Sequence, residues 1–242
     1  EIPLNSFTFC DRKLKSKFDK NYIDHFNYRP FIKQKYYSEK IFSDVLTQNH
    51  FDLFGENLNQ KNKIITFCGI NHSHPFHSLA VNEIYGLDFL EKTKCFSLYI
   101  YDQEGNRHDN ITDWGLSQFT SHYQDANITK EDIFYYTYAV LHNPAYRKKY
   151  ELNLKREFPR LPFHEDFFKW VSWGKQLMEL HINYETVAPF ELQVIDNTHL
   201  VKDKNYKLKV KLKADKPQGV IAIDEHTYIH GVPDSAWLYK LG

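Results

Sequence analysis

Residues 129–144 read TKEDIFYYTYAVLHNP. Thr129 and Asp132 have the form of a capping box, in which a threonine and an acid three residues on satisfy each other's free backbone N–H groups at a helix start. Ile133, Tyr136, Thr137, Val140 and Leu141 then recur at helical spacing, and Phe134, Tyr135 and Tyr138 fill the remaining face. A helix that is apolar all round belongs inside a core. It stops at His142-Asn143-Pro144, because proline disfavours helical backbone in the residue before it.

The segments on either side take their character from this one. Asn143 is a good N-cap and Pro144 sits where a helix tolerates proline best, so a second helix is predicted from Pro144 to Phe158, ending before Pro159. A third follows Pro162, with Phe167, Trp170, Val171, Gly174, Leu177, Met178 and His181 on one stripe and Glu165 and Asp166 in the first turn, where the helix dipole favours acids. Upstream the period changes. Ile64–Cys68 and Phe96–Tyr101 are short apolar runs bounded by Gly69, Asp102 and Gly105-Asn106, and they read as strands. The polar stretch Gln103–Asn127 reads as the joint between residues 1–110 and 111–242. Near the C-terminus Tyr206–Lys213 alternates strictly, four lysines opposite Tyr206, Leu208, Val210 and Leu212, and Val220–Ile223 follows a Pro217-Gln218-Gly219 turn as its partner. The fold class expected is α+β: a β-rich N-terminal half, then a helical C-terminal half ending in a β-hairpin.

Composition narrows the function. The 242 residues carry 31 basic and 31 acidic side chains, which argues against binding nucleic acid by bulk charge and makes any such case a regional one. Aromatic residues make up 17%, enough for ring-rich cores or stacking surfaces. Cys10, Cys68 and Cys95 are too few and too widely spaced for a disulfide framework or a zinc knuckle, and they read as reduced thiols. No signal peptide is read within the sequence, and no apolar run approaches the roughly 18 to 20 residues of a membrane span. A cytoplasmic location is the default expectation. The chain starts at Glu1 and its one methionine is Met178, so it is expected to be a piece of a longer polypeptide.

Several motifs have both a chemical and a plain structural meaning. Asn143-Pro144-Ala145-Tyr146 looks like the Asn-Pro-Pro-Tyr motif of amino-methyltransferases, but it ends a helix, its third residue is alanine, and no glycine-rich loop for a methyl donor precedes it. His72, His74 and His77 could place imidazoles on one metal, yet no nearby Cys or Asp completes a set, and a polar loop is the better reading. No Gly-x-Ser-x-Gly elbow or carboxylate couple stands out, so no catalytic residue is assigned. Between Asn143 and Pro162 the local charge is +4. Lys148 and Lys155 flank a core stripe of Tyr146, Tyr150, Leu154 and Phe158, and Lys149 and Arg156 lie where Glu151 cannot pair with them. This is either a solvated helix face or a row of phosphate contacts. A second basic and aromatic cluster, Tyr28-Arg29-Pro30-Phe31-Ile32-Lys33-Gln34-Lys35-Tyr36-Tyr37, reads as a strand–turn unit with donors for phosphates and base edges, or as an arginine packed on rings at a structural corner.

Taken in order, Tyr28-Arg29-Pro30-Phe31 with Tyr36-Tyr37, then Asn143-Pro-Ala-Tyr-Arg-x-x-Tyr150, then Leu154-Lys-Arg-Glu-Phe-Pro-Arg-Leu-Pro162, then Gly174 with Leu177 and Glu179-Leu180-His181, resemble one family over roughly residues 20–240. It is the C-terminal target recognition region of Type ISP restriction-modification enzymes, with related blocks in Type IIG enzymes. The resemblance implies a non-catalytic module that reads a double-stranded DNA site and presents an adenine to a methyltransferase domain of the same polypeptide. It implies no cofactor here, with S-adenosylmethionine and ATP with Mg expected for the parent. The DNA contacts expected on this basis are Arg29, Lys33, Lys35, Tyr36, Asn71 and His72 toward the site, and Arg147, Lys149, Arg156 and Arg160 on phosphates. Family members continue beyond the stretch Val232-Pro233-x-x-Ala236-Trp237-x-Tyr239-x-Leu241-Gly242, where this sequence stops. Two other readings stay open: a methyltransferase fragment with catalytic residues, and a structural protein-docking module.

Overall fold

The computed structural model describes residues 17–39, 48–56, 58–201, 207 and 209–239. Cys10 and the predicted strand positions Tyr206 and Leu208 lie outside them, as do Leu241 and Gly242. The fold is α+β, and the chain packs as two units, one through Glu185 and one from Thr186 to Leu241.

In the first unit, β1 (Ile23–Arg29) and β2 (Ile32–Tyr37) form an antiparallel ribbon, followed by the short helix α1 (Gln48–Phe54). β3 (Ile64–Phe67) lies between β4 (Ser78–Val81) and β5 (Lys94–Ser97), all antiparallel, and β6 (Tyr99–Tyr101) pairs with β7 (Arg107–Asp109). β3 and β4 are buried along their whole length, which is why their sequences run apolar without alternating. The predicted run Phe96–Tyr101 is thus two strands, divided at Leu98, whose N–H turns to Lys63 C=O (2.8 Å).

Helix α2 (Asp113–Tyr123) lies inside the stretch expected to be a joint, capped by the Thr112 side chain. Helix α3 (Lys130–His142) is the one announced by the opening motif: the Thr129–Asp132 capping box is present and every residue from Ile133 to Leu141 is buried. α3 is also the reason that the chain does not divide near residue 110. Phe134 packs edge-on against Phe96 of β5 (5.4 Å between centroids), and the Tyr138 hydroxyl accepts from Ala80 N–H of β4 (2.8 Å). Its other side carries α6 (Phe167–Ile182), which buries Phe167, Val171, Gly174 and Met178 of the predicted stripe, and Ile182 beside them.

Between them the predicted helix 144–158 is two short ones, α4 (Pro144–Lys149) and α5 (Glu151–Arg156). Tyr150 leaves helical backbone (φ −107°, ψ 19°), although its N–H and that of Leu154 keep their i−4 bonds. Tyr146 and Leu154 are buried as expected, while Phe158, past the helix end, is 56% exposed. Asp166 at the start of α6 adopts left-handed backbone (φ 55°) and makes no side-chain cap, so the expected acid–dipole arrangement is not what begins this helix.

The second unit holds β8 (Gln193–Asp196), β9 (Lys213–Asp215), β10 (Val220–Ala222), β11 (Thr227–His230) and α7 (Asp234–Leu238). Its sheet runs β8-β11-β10-β9, a Greek-key order, so the expected hairpin is the outer part of a four-stranded sheet. Of the lysine row, only Lys213 enters a strand. β10 is three residues long because Asp224 ends it, accepting from the N–H groups of His226 (2.7 Å) and Thr227 (2.9 Å) to turn the chain into β11.

Two expectations follow from the packing of α3. A Cβ on Gly174 would stand 1.9 Å from Tyr135 C=O, so Gly174→Ala must push α6 off α3; overpacking of this kind costs about 3 kcal/mol, measurable as a lower urea midpoint with an unchanged slope. The second concerns His181, whose Nδ1 accepts from Tyr138 O–H at 2.5 Å. Burial, with the positive charge of Arg147 behind it, holds this imidazole down at about 4, and the same causes hold His142 at about 3 against the pull of two nearby carbonyls. Between about pH 6.5 and 4 the unfolded chain takes up protons that the folded one refuses, so stability is full above pH 6.5 and falls on acidification. The expected loss at pH 5 relative to pH 7 is roughly 2 kcal/mol from His181, and His181→Gln, which keeps an acceptor, should flatten that part of the profile in urea titrations.

Candidate nucleic-acid interface

The ribbon owes its shape to Pro30-Phe31, where Phe31 takes left-handed backbone (φ 56°), and to a bulge at Tyr28 that shifts the register from Asn27↔Lys33 to Arg29↔Ile32. The Phe31 ring packs edge-on against His181 (5.8 Å) and Tyr184 (5.3 Å), which anchors the turn to the end of α6. Of the predicted contacts here, Arg29 is exposed but its guanidinium donates to Asp88 C=O and lies over the Tyr28 ring. Lys33 is 15% exposed and paired with Glu83 at 3.7 Å. Lys35 is exposed, across from His25. Tyr36 packs against Phe26, and its hydroxyl is pushed up to about 12 by burial and by the charges of Asp24 and Glu83, so it stays a neutral donor.

The loop after β3 is held just as closely. A Cβ on Gly69 would stand 2.3 Å from Lys92 C=O, so only glycine lets these strands of backbone meet. Asn71, exposed and left-handed (φ 59°), donates its N–H to Lys155 C=O of α5 (2.8 Å), while its own C=O accepts from Lys92 Nζ. Glu91 accepts from Ser73 N–H (2.8 Å), Ser73 O–H (3.1 Å) and His74 N–H (3.3 Å). These bonds, the Ser73 N–H first and the His74 ring next, hold its carboxyl down at about 2. His72 is buried, Nδ1 donating to His74 C=O. Its ring is part of the loop's interior, while Asn71 points outward together with Ile70, Ser73 and His74. Among the described residues no group of three or more His, Cys, Asp or Glu is arranged to hold a metal ion.

Asn143 caps α4, its side-chain oxygen accepting from Ala145 N–H (2.7 Å) and Tyr146 N–H (3.2 Å), and Tyr146 is buried with its hydroxyl donating to Arg160 C=O (2.9 Å). The look-alike of a methylation motif is thus a helix boundary whose polar atoms are engaged. The predicted phosphate row divides in two. Arg147 turns inward, its Nε donating to Leu141 C=O (2.6 Å) and its guanidinium lying over Phe76 (5.9 Å). Lys149 and Arg156 are exposed, and Arg160 is exposed with Glu157 at 2.7 Å. Glu151 approaches Lys155 at 3.9 Å.

The segment that joins all of this was missed in the sequence: residues 83–92, between β4 and β5. Its first half holds the ribbon through Glu83 on Lys33, Ile84 C=O on Asn27 N–H (2.8 Å), Asn27 C=O on Gly86 N–H (2.9 Å) and Asp88 C=O on Arg29. Its second half holds the 69–74 loop through Glu91 and Lys92, and that loop is bonded to α5. Ribbon, loop and basic helices are therefore one continuous framework. The one signal in the sequence is a pair of acids, Glu83 and Glu91, between two basic clusters; Asp88 acts through its backbone C=O. At the open end of the ribbon, Asp19, Asp24, Glu39 and Glu56 line a cleft of about 540 Å³.

This geometry has close counterparts. The chain in a cryo-EM structure of a DrdV–DNA complex superposes with a TM-score of 0.84 at 40% identity, covering 98% of the present chain and 24% of that one. A nuclease-deletion mutant of the Type ISP restriction-modification enzyme LlaGI, in complex with a DNA substrate mimic, gives 0.71 at 27% identity, over 96% of this chain and 20% of that one. The ATP-dependent Type ISP enzyme LlaBIII bound to DNA shares the fold, with a TM-score of 0.75 at 23% identity over 97% of this chain and 16% of that one. The present chain thus spans about a quarter or less of the length of these proteins. No curated protein matches it. Residues 6–242 match the family described as the Type ISP C-terminal specificity domain, and the chain belongs to that family.

Proposed function

We propose that this chain recognises a double-stranded DNA site for a restriction-modification polypeptide, and that it does so without catalytic residues of its own. The observation that carries the reading is the shared framework: a ribbon, an asparagine-tipped loop and a pair of basic helices, all braced by residues 83–92. Tyr36 and Asn71 would face the site, with Lys149, Arg156 and Arg160 on the backbone phosphates and Lys35, on the opposite face of the ribbon from Tyr36, outside the base-reading set. Arg29, Lys33, His72 and Arg147 would act by holding these groups in place.

The partner domains follow from the same reading. A methyltransferase domain in the same polypeptide would receive the target adenine, with S-adenosylmethionine bound there and ATP with Mg used by a motor domain. A cytoplasmic location, where the DNA is, goes with this role. No helix among the described residues is long and apolar enough to cross a membrane.

Each phosphate contact neutralised by a lysine or arginine releases about one counterion, so the slope of log affinity against log salt counts them. Joint Lys149→Ala and Arg156→Ala changes are expected to reduce that slope by about two; an unchanged slope would remove both from the phosphate row. Arg147→Ala should act differently, lowering the unfolding free energy read from urea titration by about 2 kcal/mol through the lost bond to Leu141 C=O. Calorimetry with S-adenosylmethionine should show no heat of binding to this chain, and saturable binding would favour a methyltransferase instead.

A further inference from the structure

The β1–β2 ribbon has two unlike faces. Asn27 and Lys33 lie opposite each other on one, and both are held: Asn27 is buried, and Lys33 is paired with Glu83. Asp24, Phe26, Gln34 and Tyr36 share the other face by register. Tyr28, the extra residue of the bulge, joins them, since its ring lies 6.1 Å from that of Phe26, which lies 5.5 Å from that of Tyr36. In the plane of the ribbon, β1 is bonded on its outer side to residues 84–86, while among the described residues no strand pairs with the outer edge of β2.

The polar groups of the second face are not equivalent. The Asp24 carboxylate accepts from His25 N–H (2.8 Å). Arg29, at the end of the strand, is engaged by Asp88. Gln34 is exposed and directly across from Phe26, whose ring lies between those of Tyr28 and Tyr36.

We propose that this ribbon lies in the major groove of DNA with the Phe26–Gln34 face toward the bases, and that Gln34 reads an adenine. The inference rests on the DNA-recognition reading above and adds a groove, a face and a specificity-determining residue to it. A two-stranded ribbon fits a major groove about 12 Å wide. There the glutamine amide donates from Nε2 to adenine N7 and accepts at Oε1 from the adenine N6 amino group, a pairing that no other base reproduces. Docking the ribbon in the groove takes the exposed amide out of water, so a wrong base leaves it without partners, and that loss is what discriminates. Phe31 against His181 and Tyr184 fixes the angle at which the ribbon enters.

The test selects bound duplexes from a randomised pool, using the full-length polypeptide as wild type, Gln34→Ala and Gln34→Glu. Wild type is expected to enrich one motif. In Gln34→Ala the preference for adenine should fall about tenfold at one position, with the other positions kept, and Gln34→Glu should move that position toward cytosine, whose N4 amino group a carboxylate accepts from. An unchanged motif in both variants, or a loss at a position that is not adenine, overturns the assignment of Gln34 and leaves the DNA reading standing. Failure of the wild type to retain any duplex at low salt overturns both.

Discussion

The approach of α6 to α3 at Gly174 is the contact on which the rest of the first unit depends. With no Cβ in the way, the α6 backbone comes within van der Waals reach of Tyr135 and Ala139, and α3 is closed in on its helical side. Its other side is then free to meet the sheet, through Phe134 on Phe96 and Tyr138 on Ala80. A helix enclosed in this way must satisfy its polar side chains internally. Tyr136 donates to Pro162 C=O (2.6 Å) and accepts from His164 N–H (2.8 Å), and Tyr138 donates to His181. These bonds fix the segment before α6 as well as α6 itself.

That rigidity reaches the candidate interface by two routes. One runs from Tyr138 through His181 to Phe31, so the turn of the ribbon rests on the same hydrogen-bonded cluster that ties α3 to β4. The other runs from β4 directly into residues 83–92, which brace the ribbon and the 69–74 loop. Groups meant to meet a base edge have to be held in place before the ligand arrives, because ordering them on binding costs affinity. Here the ordering is provided by the core.

Much of this was legible because it is local. The capping box, the Asn143 N-cap and the stripe of α6 are decided by residues within one or two turns of each other, and all three are present. The kink at Tyr150 was not legible, since the pattern from Tyr146 to Phe158 suits a straight helix equally well. The surroundings of the candidate residues were less legible. Arg29, Lys33 and Arg147 are basic residues in basic clusters, and nothing near them in sequence says that Asp88, Glu83 and Leu141 C=O will take them up. Gly69 gave no warning of its contact with Lys92, because close approach of two backbones leaves no trace in composition or period. The C-terminal alternation failed for a related reason: a strand extends only as far as its partner, and Asp224 cuts β10 short.

The neutral total charge acquires a physical meaning from these pairings. Acids in this unit serve as braces: Glu83 on Lys33, Glu91 on the 73–74 backbone, Glu131 on Lys63, Glu157 on Arg160. The +4 of residues 143–162 therefore overstates what a phosphate backbone would meet, since Arg147 faces inward and Arg160 and Lys155 have acids beside them. A small electrostatic contribution gives weak attachment to arbitrary sequence, as non-specific affinity is nearly all counterion release. On the proposed reading, discrimination then comes from groups that the ribbon's contacts with residues 83–92 place before binding. For a module proposed to tell one site from many, restrained charge and a braced ribbon work in the same direction, because each lowers the fraction of affinity that every sequence shares.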